Sequence, residues 1–158
     1  MSNLVPLRPR ATGETHRFAI VASLFNAEYV QGLVDHATAE LQSLSPAAAI
    51  SLHQVPGAFE IPVVVREIAL QKRANAILAL GVVLQGETSH AQNLARSVTD
   101  ALQQIAIERG IPVINAVLSL ESEAQARERC LGSKINRGTE AARAAIKIVD
   151  VMGELRAT

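Results

Sequence analysis

Short apolar runs alternate along this chain with longer segments in which apolar residues recur at helical spacing. The runs Phe18–Ala22, Ala76–Leu80 and Pro112–Leu118 are almost entirely apolar, which is typical of strands covered on both faces. Ala49–His53 instead alternates between apolar and polar residues. This alternation predicts an edge strand with one less covered face.

Apolar stripes with a helical period lie between the predicted strands and predict the helices. These stripes run from Val30 to Leu41, Ile61 to Ile68, Leu94 to Ile105 and Ala142 to Met152. Pro62 is compatible with the first turn of the second helix, since proline is tolerated there. Gly110 is expected to end the third helix, and Gly138 is expected to break the chain before the last one. A further short helix is predicted at Glu123–Arg129.

This alternation of strands and helices implies right-handed βαβ units. The fold class is therefore expected to be α/β, a three-layer sandwich with a central parallel sheet and helices on both sides. With the second strand at the edge, the strand order is flavodoxin-like. Residues 1–16 have no packing pattern and are predicted to form a flexible N-terminal tail, and residues 17–158 are predicted to form a single domain.

Composition narrows the function classes. The 158 residues are 49% hydrophobic, which suffices for a core, and the formal net charge is +0 with only 3% aromatic residues. A nucleic-acid partner is not expected, because such proteins are basic or carry aromatic stacking platforms. No segment resembles a signal peptide or a membrane span, and Cys130 is the one cysteine. A cytoplasmic protein without a membrane partner or an internal disulfide is expected, and its zero net charge protects weakly against self-association.

Ligands of open parallel sheets bind beyond the carboxyl ends of the strands. The segment after the third predicted strand, Gly81–His90, is the richest there in chemistry. Its glycines superficially fit a phosphate-binding P-loop, but Glu87 occupies the position of the essential lysine. Nucleotide hydrolysis is therefore not expected, because a carboxylate would repel a triphosphate.

A simpler reading is that Gly86, Glu87 and Thr88 lead into a helix whose free N–H groups favour one anionic group. The alternative is an ordinary helix cap formed by Thr88 or Ser89. His90 is predicted in the first turn of the same helix, where the positive helix end disfavours the imidazolium. It is either a proton-exchanging group near neutral pH or a structural histidine.

Each of the other candidate site residues has a functional and a structural interpretation. Phe25, one of 3 Phe residues, follows a buried strand and either stacks on a planar ligand or caps the core. Glu60 either contacts a ligand or only favours the helix dipole. Arg129 and Arg137 flank a break at Gly132 and are either solvated charges or anion ligands. The histidines show no shared metal-ligand spacing, so no metal site is predicted.

Taken together, the order of these segments resembles the lumazine synthase family. The matching pieces extend from about Arg17 to Met152, and two of them in combination are highly specific: V-P-G-A-F-E-I-P at Val55–Pro62 and G-E-T-x-H at Gly86–His90. The other matching pieces are Phe25-Asn26, Ala79–Gly81 and Asn136–Ala142.

The resemblance implies a step of riboflavin biosynthesis. In it, 5-amino-6-(D-ribitylamino)uracil and 3,4-dihydroxy-2-butanone 4-phosphate condense to 6,7-dimethyl-8-ribityllumazine, releasing phosphate and water. His90 would be the general acid/base. The butanone phosphate would be held by Glu87, Thr88 and Arg129. Gly86 and Arg137 would be possible additional site residues. The ribitylaminouracil would be held by Phe25, Ala58, Phe59, Glu60, the backbone of Val82, Val83 and Leu84, and Asn115. No metal or organic cofactor is implied.

The resemblance also implies assembly. Active sites would lie between adjacent subunits of a homopentamer, with Asn115 supplied by the neighbour of the chain that carries His90. The short Leu131–Ile135 turn favours further assembly into an icosahedral shell, whereas Pro6 and Pro9 oppose strand addition by the tail. Riboflavin synthase is a candidate partner besides the small-molecule substrates.

Several positions depart from the commonest family pattern. Asn115 lies where many members have Phe, and Arg137 stands where Lys is usual. Gln85 replaces a frequent Arg, and Ala91–Leu94 replaces an aromatic–acidic–aromatic segment after His90. The altered segment after His90 keeps a second interpretation open, a noncatalytic protein that binds flavin or lumazine. A third interpretation is a relative whose main role is to form a shell.

Overall fold

Four parallel strands form one sheet in the order β2-β1-β3-β4 in the computed structural model, which describes residues 4–86 and 90–158. The strands are β1 Arg17–Ser23, β2 Ala49–Val55, β3 Ala76–Leu84 and β4 Val113–Leu120. The helices are α1 Ala27–Leu44, α2 Ile61–Gln71, α3 Ala91–Arg109, α4 Glu123–Ala126 and α5 Arg137–Ala157. A 3-10 turn, Ala58–Glu60, precedes α2, and a π-helical turn, Arg127–Leu131, follows α4.

Both faces of the sheet are covered because alternate residues of each strand point to opposite sides. On β1, Phe18 and Ile20 pack with α1 and α5 in one buried cluster. Ala19 and Val21 pack with α2 and α3 in the other. The structure therefore confirms the three-layer α/β sandwich, the flavodoxin-like order and the edge position of β2.

Two strand predictions were wrong. Strand β3 continues through Gly81–Leu84, which the sequence placed in a loop, because these residues pair in register with Val117–Leu120 of β4. Strand β4 is not covered on both faces. Ala116 and Leu118 point to one face and are buried, but Asn115 is exposed and Val117 is only half-buried, because β4 is the second edge of the sheet.

The last helix begins before Gly138, at Arg137, and so corrects the predicted break at that glycine. The Asn136 side chain caps the helix by accepting hydrogen bonds from the N–H groups of Gly138 and Thr139 at 2.9 and 3.1 Å. Gly138 does not break the chain, and its role is to allow α5 to pack closely against α1. A Cβ atom added there would lie 2.4 Å from the carbonyl oxygen of Leu33 in α1.

Gly138→Ala is therefore expected to destabilise the fold by about 1–3 kcal/mol, the usual cost of overpacking, because backbone cannot move aside as a side chain can. Gly153→Ala is the matched control in the same helix, since a Cβ atom there meets nothing within 4 Å. That control is expected to gain up to about 1 kcal/mol of helix propensity. Urea unfolding of both variants checks the difference, and equal midpoints would contradict the packing role of Gly138.

The N-terminal tail runs along α1 and α5 from Leu4 onward. The Glu40 carboxylate of α1 links the tail to α5. It accepts a hydrogen bond from Arg143 Nε of α5 at 2.6 Å and lies 3.5 Å from Arg8 Nε of the tail. Arg143 also donates to the carbonyl oxygen of Pro6 at 3.2 Å. The division into a flexible tail and a domain stays a prediction. In residues 4–86 and 90–158, no helix is long and apolar enough to cross a membrane.

Candidate functional site

A cavity of about 150 Å³ opens at the carboxyl end of the sheet. It brings together residues that are far apart in the sequence, from the segments after β1 and β2, the end of β3 and the start of α3. Its lining residues are Phe25, Gly57, Ala58, Phe59, Glu60, Val82, Val83, Leu84 and Leu94. Every residue predicted to hold the ribitylaminouracil lines this cavity, with the exception of Asn115.

Backbone hydrogen bonds tie the segment after β1 to the segment after β2. The N–H groups of Leu24 and Phe25 donate to the carbonyl oxygens of Val55 and Pro56 at 2.7 and 3.1 Å. These bonds continue the β1–β2 pairing beyond the ends of both strands. They therefore hold the Phe25 ring next to the 3-10 turn that carries Phe59.

Asn26 connects the same segment to β3. Its backbone is left-handed, with φ 58°, and its side-chain Nδ2 donates to the carbonyl oxygen of Val82 at 2.8 Å. Asparagine tolerates this conformation better than most residues. On the other side of β3, the Gln85 N–H donates to the carbonyl oxygen of Leu120. The far end of β3 is thus fixed from both sides, and the Val82 carbonyl is already occupied by Asn26.

The rim of the cavity is aromatic and exposed. Phe25 is 61% exposed and Phe59 is 70% exposed in the isolated chain. A buried Phe side chain gains about 1.5–3 kcal/mol over an exposed one. Exposure of both rings at one opening therefore indicates that a planar ligand, a second subunit or both cover them. The alternative reading of Phe25, a cap on the core, is wrong because the ring is mostly exposed.

Glu60 is the one ionisable residue among the described residues that line the cavity. It is half-buried at the N-cap position of α2, and its side chain makes no capping hydrogen bond. Pro62 lies in the first turn of this helix, as predicted. The Glu60 carboxylate gives an otherwise apolar cavity one strong hydrogen-bond acceptor.

His90 lies at the N-cap position of α3, one residue earlier than the predicted first turn. Its carbonyl oxygen accepts a hydrogen bond from the Leu94 N–H at 2.8 Å. Since Leu94 lines the cavity, the exposed His90 lies one helical turn from its wall. Thr88 and Ser89, the other candidates for this helix cap, lie outside the described residues.

Two further predictions cannot be placed in the site. Glu87 and Thr88 lie outside the described residues. Gly86 is described, is exposed and has a φ of 87°, a conformation that favours glycine. The backbone thus turns sharply at the end of β3, immediately before the predicted anion-binding segment.

Asn115 and Arg137 lie together in a second recess of about 230 Å³, between the β4 edge and α5. There the Arg137 guanidinium donates from Nη1 to Glu140 Oε2 at 2.7 Å. Both partners of this ion pair are largely buried, with side-chain exposures of 12% and 9%. The structure of one chain therefore divides the predicted site residues between the cavity and this recess.

Arg129 belongs to the π-helical turn and is half-buried. It is not among the described residues that line the cavity or the recess. The turn itself is fixed by Asn136, whose Nδ2 donates to the carbonyl oxygens of Cys130 and Gly132 at 3.0 and 2.9 Å. Asn136 thus connects the π-helical turn that carries Arg129 to the start of α5, where Arg137 lies. Its place in the N-R-G motif is the only sequence signal for this role.

Cys130 is not a nucleophile. It is fully buried, and this burial raises the pKa of the thiol to about 12. The thiolate, which is the reactive form, is therefore scarce near neutral pH.

Sequence reasoning missed two residues that line the cavity. Gly57 belongs to the V-P-G-A-F-E-I-P motif but has no side chain whose chemistry would mark it. Leu94 begins the apolar stripe of α3, a pattern typical of residues that face the core. A stripe residue in the first turn of a helix that begins at the carboxyl edge of a sheet faces either a core or a ligand, and only the fold distinguishes them.

Comparison with known proteins gives the family. Residues 15–153 match the family model described as 6,7-dimethyl-8-ribityllumazine synthase. A protein of that name from Halorhodospira halophila is 40% identical over 142 residues, covering 89% of this chain and 91% of the relative. Its namesake from Stenotrophomonas maltophilia is 38% identical over 145 residues, covering 91% and 94%. Because one family model spans most of the chain and these relatives match nearly end to end, the chain belongs to the 6,7-dimethyl-8-ribityllumazine synthase family.

Proposed function

We propose that this chain acts in riboflavin biosynthesis as a transferase. It condenses 5-amino-6-(D-ribitylamino)uracil with 3,4-dihydroxy-2-butanone 4-phosphate to 6,7-dimethyl-8-ribityllumazine, with release of phosphate and water. The observation that carries the proposal is the cavity, because it joins Phe25, the Ala58–Glu60 turn and the Val82–Leu84 strand end in one place. Phe25 and the Ala58–Glu60 turn belong to two of the segments on which the family resemblance rests, and Val82–Leu84 lies between two others, Ala79–Gly81 and Gly86–His90.

The ribitylaminouracil is proposed to occupy this cavity. Phe25 is exposed at the rim and is available to stack on the pyrimidine. The Ala58–Glu60 turn supplies the Glu60 carboxylate and backbone groups for the hydroxyls of the ribityl chain. Backbone groups at the end of β3 that are not paired with β4 or Asn26 are available for the pyrimidine edge. The side chain of Val83 contributes an apolar wall.

The butanone phosphate is proposed to bind beside the start of α3. Glu87 and Thr88 precede this helix start, whose free N–H groups favour an anion. Arg129 would add a positive charge in a planar fork that suits phosphate. Since His90 lies at the same helix start, proton transfer and the leaving phosphate would be within about one helical turn of each other. A reaction that forms and breaks an imine and eliminates phosphate needs that proximity.

Mixing the purified protein with both substrates tests the proposed activity. Lumazine absorbance that grows with time, and in proportion to protein concentration, is the expected result. Binding of the ribitylaminouracil without any product would contradict catalysis and would favour the noncatalytic binding protein. Assembly without binding of either substrate would favour the shell-forming relative.

A shared site between copies of the chain is proposed because one chain separates the residues that should act together. Asn115 and Arg137 line the recess at the β4 edge, whereas Phe25 and Glu60 line the cavity. A ring of subunits places the recess of one copy against the cavity of the next. The minimum active unit is then a homopentamer.

The pentamer is proposed to assemble further into an icosahedral shell, and riboflavin synthase is a candidate partner. Location in the cytoplasm stays a prediction.

Sedimentation at the concentration used for the assay is expected to give a particle of five chains or a multiple of five. An exposed rim of Phe25 and Phe59 favours burial against a second copy. An active monomer would contradict the shared site. Stable isolated rings would contradict only the shell.

A further inference from the structure

The side-chain amide of Asn115 is held on two sides. Its Nδ2 donates to Thr99 Oγ1 of helix α3 at 3.1 Å. Its Oδ1 accepts the backbone N–H of Val117 at 3.0 Å. Thr99 and Asn115 are 16 positions apart in the sequence, so only packing of α3 on the β4 edge brings them together.

These two bonds fix which way the amide points. Exchanging the amide oxygen and nitrogen of Asn115 would bring two donors, Nδ2 and the Val117 N–H, face to face. A primary amide has two N–H donors and two acceptor lone pairs. The two bonds use one of each, so one N–H and one lone pair remain on an exposed side chain.

The arrangement is specific to an amide at this position. A phenylalanine at this position would have neither a donor for Thr99 nor an acceptor for Val117. The wall that β4 presents at its edge is consequently polar and oriented in this chain, where a ring would make it apolar. An unanchored asparagine at the same place would rotate and lose this preorganisation.

We propose that Thr99 is a positioning residue that orients Asn115, so that the remaining N–H and lone pair of the amide hydrogen-bond the pyrimidine of the ribitylaminouracil bound by the adjacent copy. This inference rests on the proposed function and on the shared site. Thr99 is then a specificity determinant on α3 that contacts no substrate itself. At position 115, a directed donor and acceptor pair takes the place of ring packing.

Thr99→Val tests the role, because it keeps the shape of the side chain and removes the acceptor. We expect KM for the ribitylaminouracil, and its Kd measured by calorimetry, to rise by about 3–10-fold, the range for one hydrogen bond. The turnover number and KM for the butanone phosphate are expected to stay within about twofold of the native values. Thr99→Ser keeps the hydroxyl and should restore native affinity. Ser97→Ala is the matched control on the exposed part of the same helix.

A double-mutant cycle with Asn115→Phe separates positioning from a general effect on α3. In the Asn115→Phe background, Thr99→Val is expected to change Kd for the ribitylaminouracil by less than about twofold, because no amide is left to orient. An equal rise in both backgrounds, or no rise in the native one, would overturn the proposal. Sedimentation of each variant confirms that assembly is intact.

The same measurements distinguish this inference from the proposed function. A native protein that forms no lumazine contradicts the proposed function, and calorimetric Kd values then still decide the role of Thr99. An active native protein with a silent Thr99→Val contradicts the positioning role alone.

Discussion

Replacing His90 with alanine is expected to lower the turnover number by about 10²–10⁴-fold, the usual contribution of a general acid/base group. The imidazole is exposed at the start of α3, one helical turn from the cavity wall, where it is proposed to exchange protons with the bound substrates. Initial rates of lumazine formation at saturating concentrations of both substrates measure the effect. Binding of the ribitylaminouracil should largely persist, because His90 is not among the described residues that line its cavity.

The loss should not arise from unfolding of α3. The His90 side chain makes no capping hydrogen bond to the helix, so alanine removes no cap. His53→Ala is the matched control, since His53 is exposed on the edge strand β2, at a distance in sequence and structure from α3. An unchanged turnover number in His90→Ala would remove this residue from the mechanism.

Arg129→Ala is expected to raise KM for the butanone phosphate by about 10–100-fold, the equivalent of a charge-assisted hydrogen bond. The affinity for the ribitylaminouracil should change far less, because only the other substrate carries the anion. Arg129→Lys should recover part of the loss, since an ammonium group keeps the charge without the planar fork. Steady-state kinetics with each substrate varied in turn separate the two effects.

Arg127→Ala provides the control for this experiment, because Arg127 is an exposed arginine of the same π-helical turn. It should leave both KM values close to native. Equal affinity losses for both substrates in Arg129→Ala would show a folding defect instead of a lost phosphate contact.

The local pattern of apolar and polar residues was sufficient to predict the architecture. Continuous apolar runs marked the central strands, alternation marked β2 as an edge, and helical periodicity located the helices, because burial on a sheet of this kind demands those periods. The helix stop at Gly110 was predicted correctly, since the residue adopts the left-handed conformation with φ 63° at the end of α3. The motifs located most of the cavity, because segments that follow parallel strands meet at one edge of the sheet.

The local sequence pattern gave wrong predictions where a contact between distant segments decides the structure. Gly81–Leu84 reads as a loop by its glycine and its place before a motif, yet pairing with β4 makes it strand. Gly138 reads as a helix breaker, yet its absent Cβ lets α5 approach the backbone of α1. Neither partner is visible within a local window of sequence.

By itself, then, the sequence determined the α/β class, the strand order and most of the residues that form the cavity, because hydrophobic period and motif order are properties of the chain. Only the tertiary structure decided that β4 is a half-covered edge, that Thr99 holds the amide of Asn115, and that Asn115 and Arg137 lie in a recess apart from Phe25 and Glu60. The physical reason is that a side chain's direction and hydrogen-bond partners depend on which elements pack beside it, and sequence spacing does not specify those neighbours.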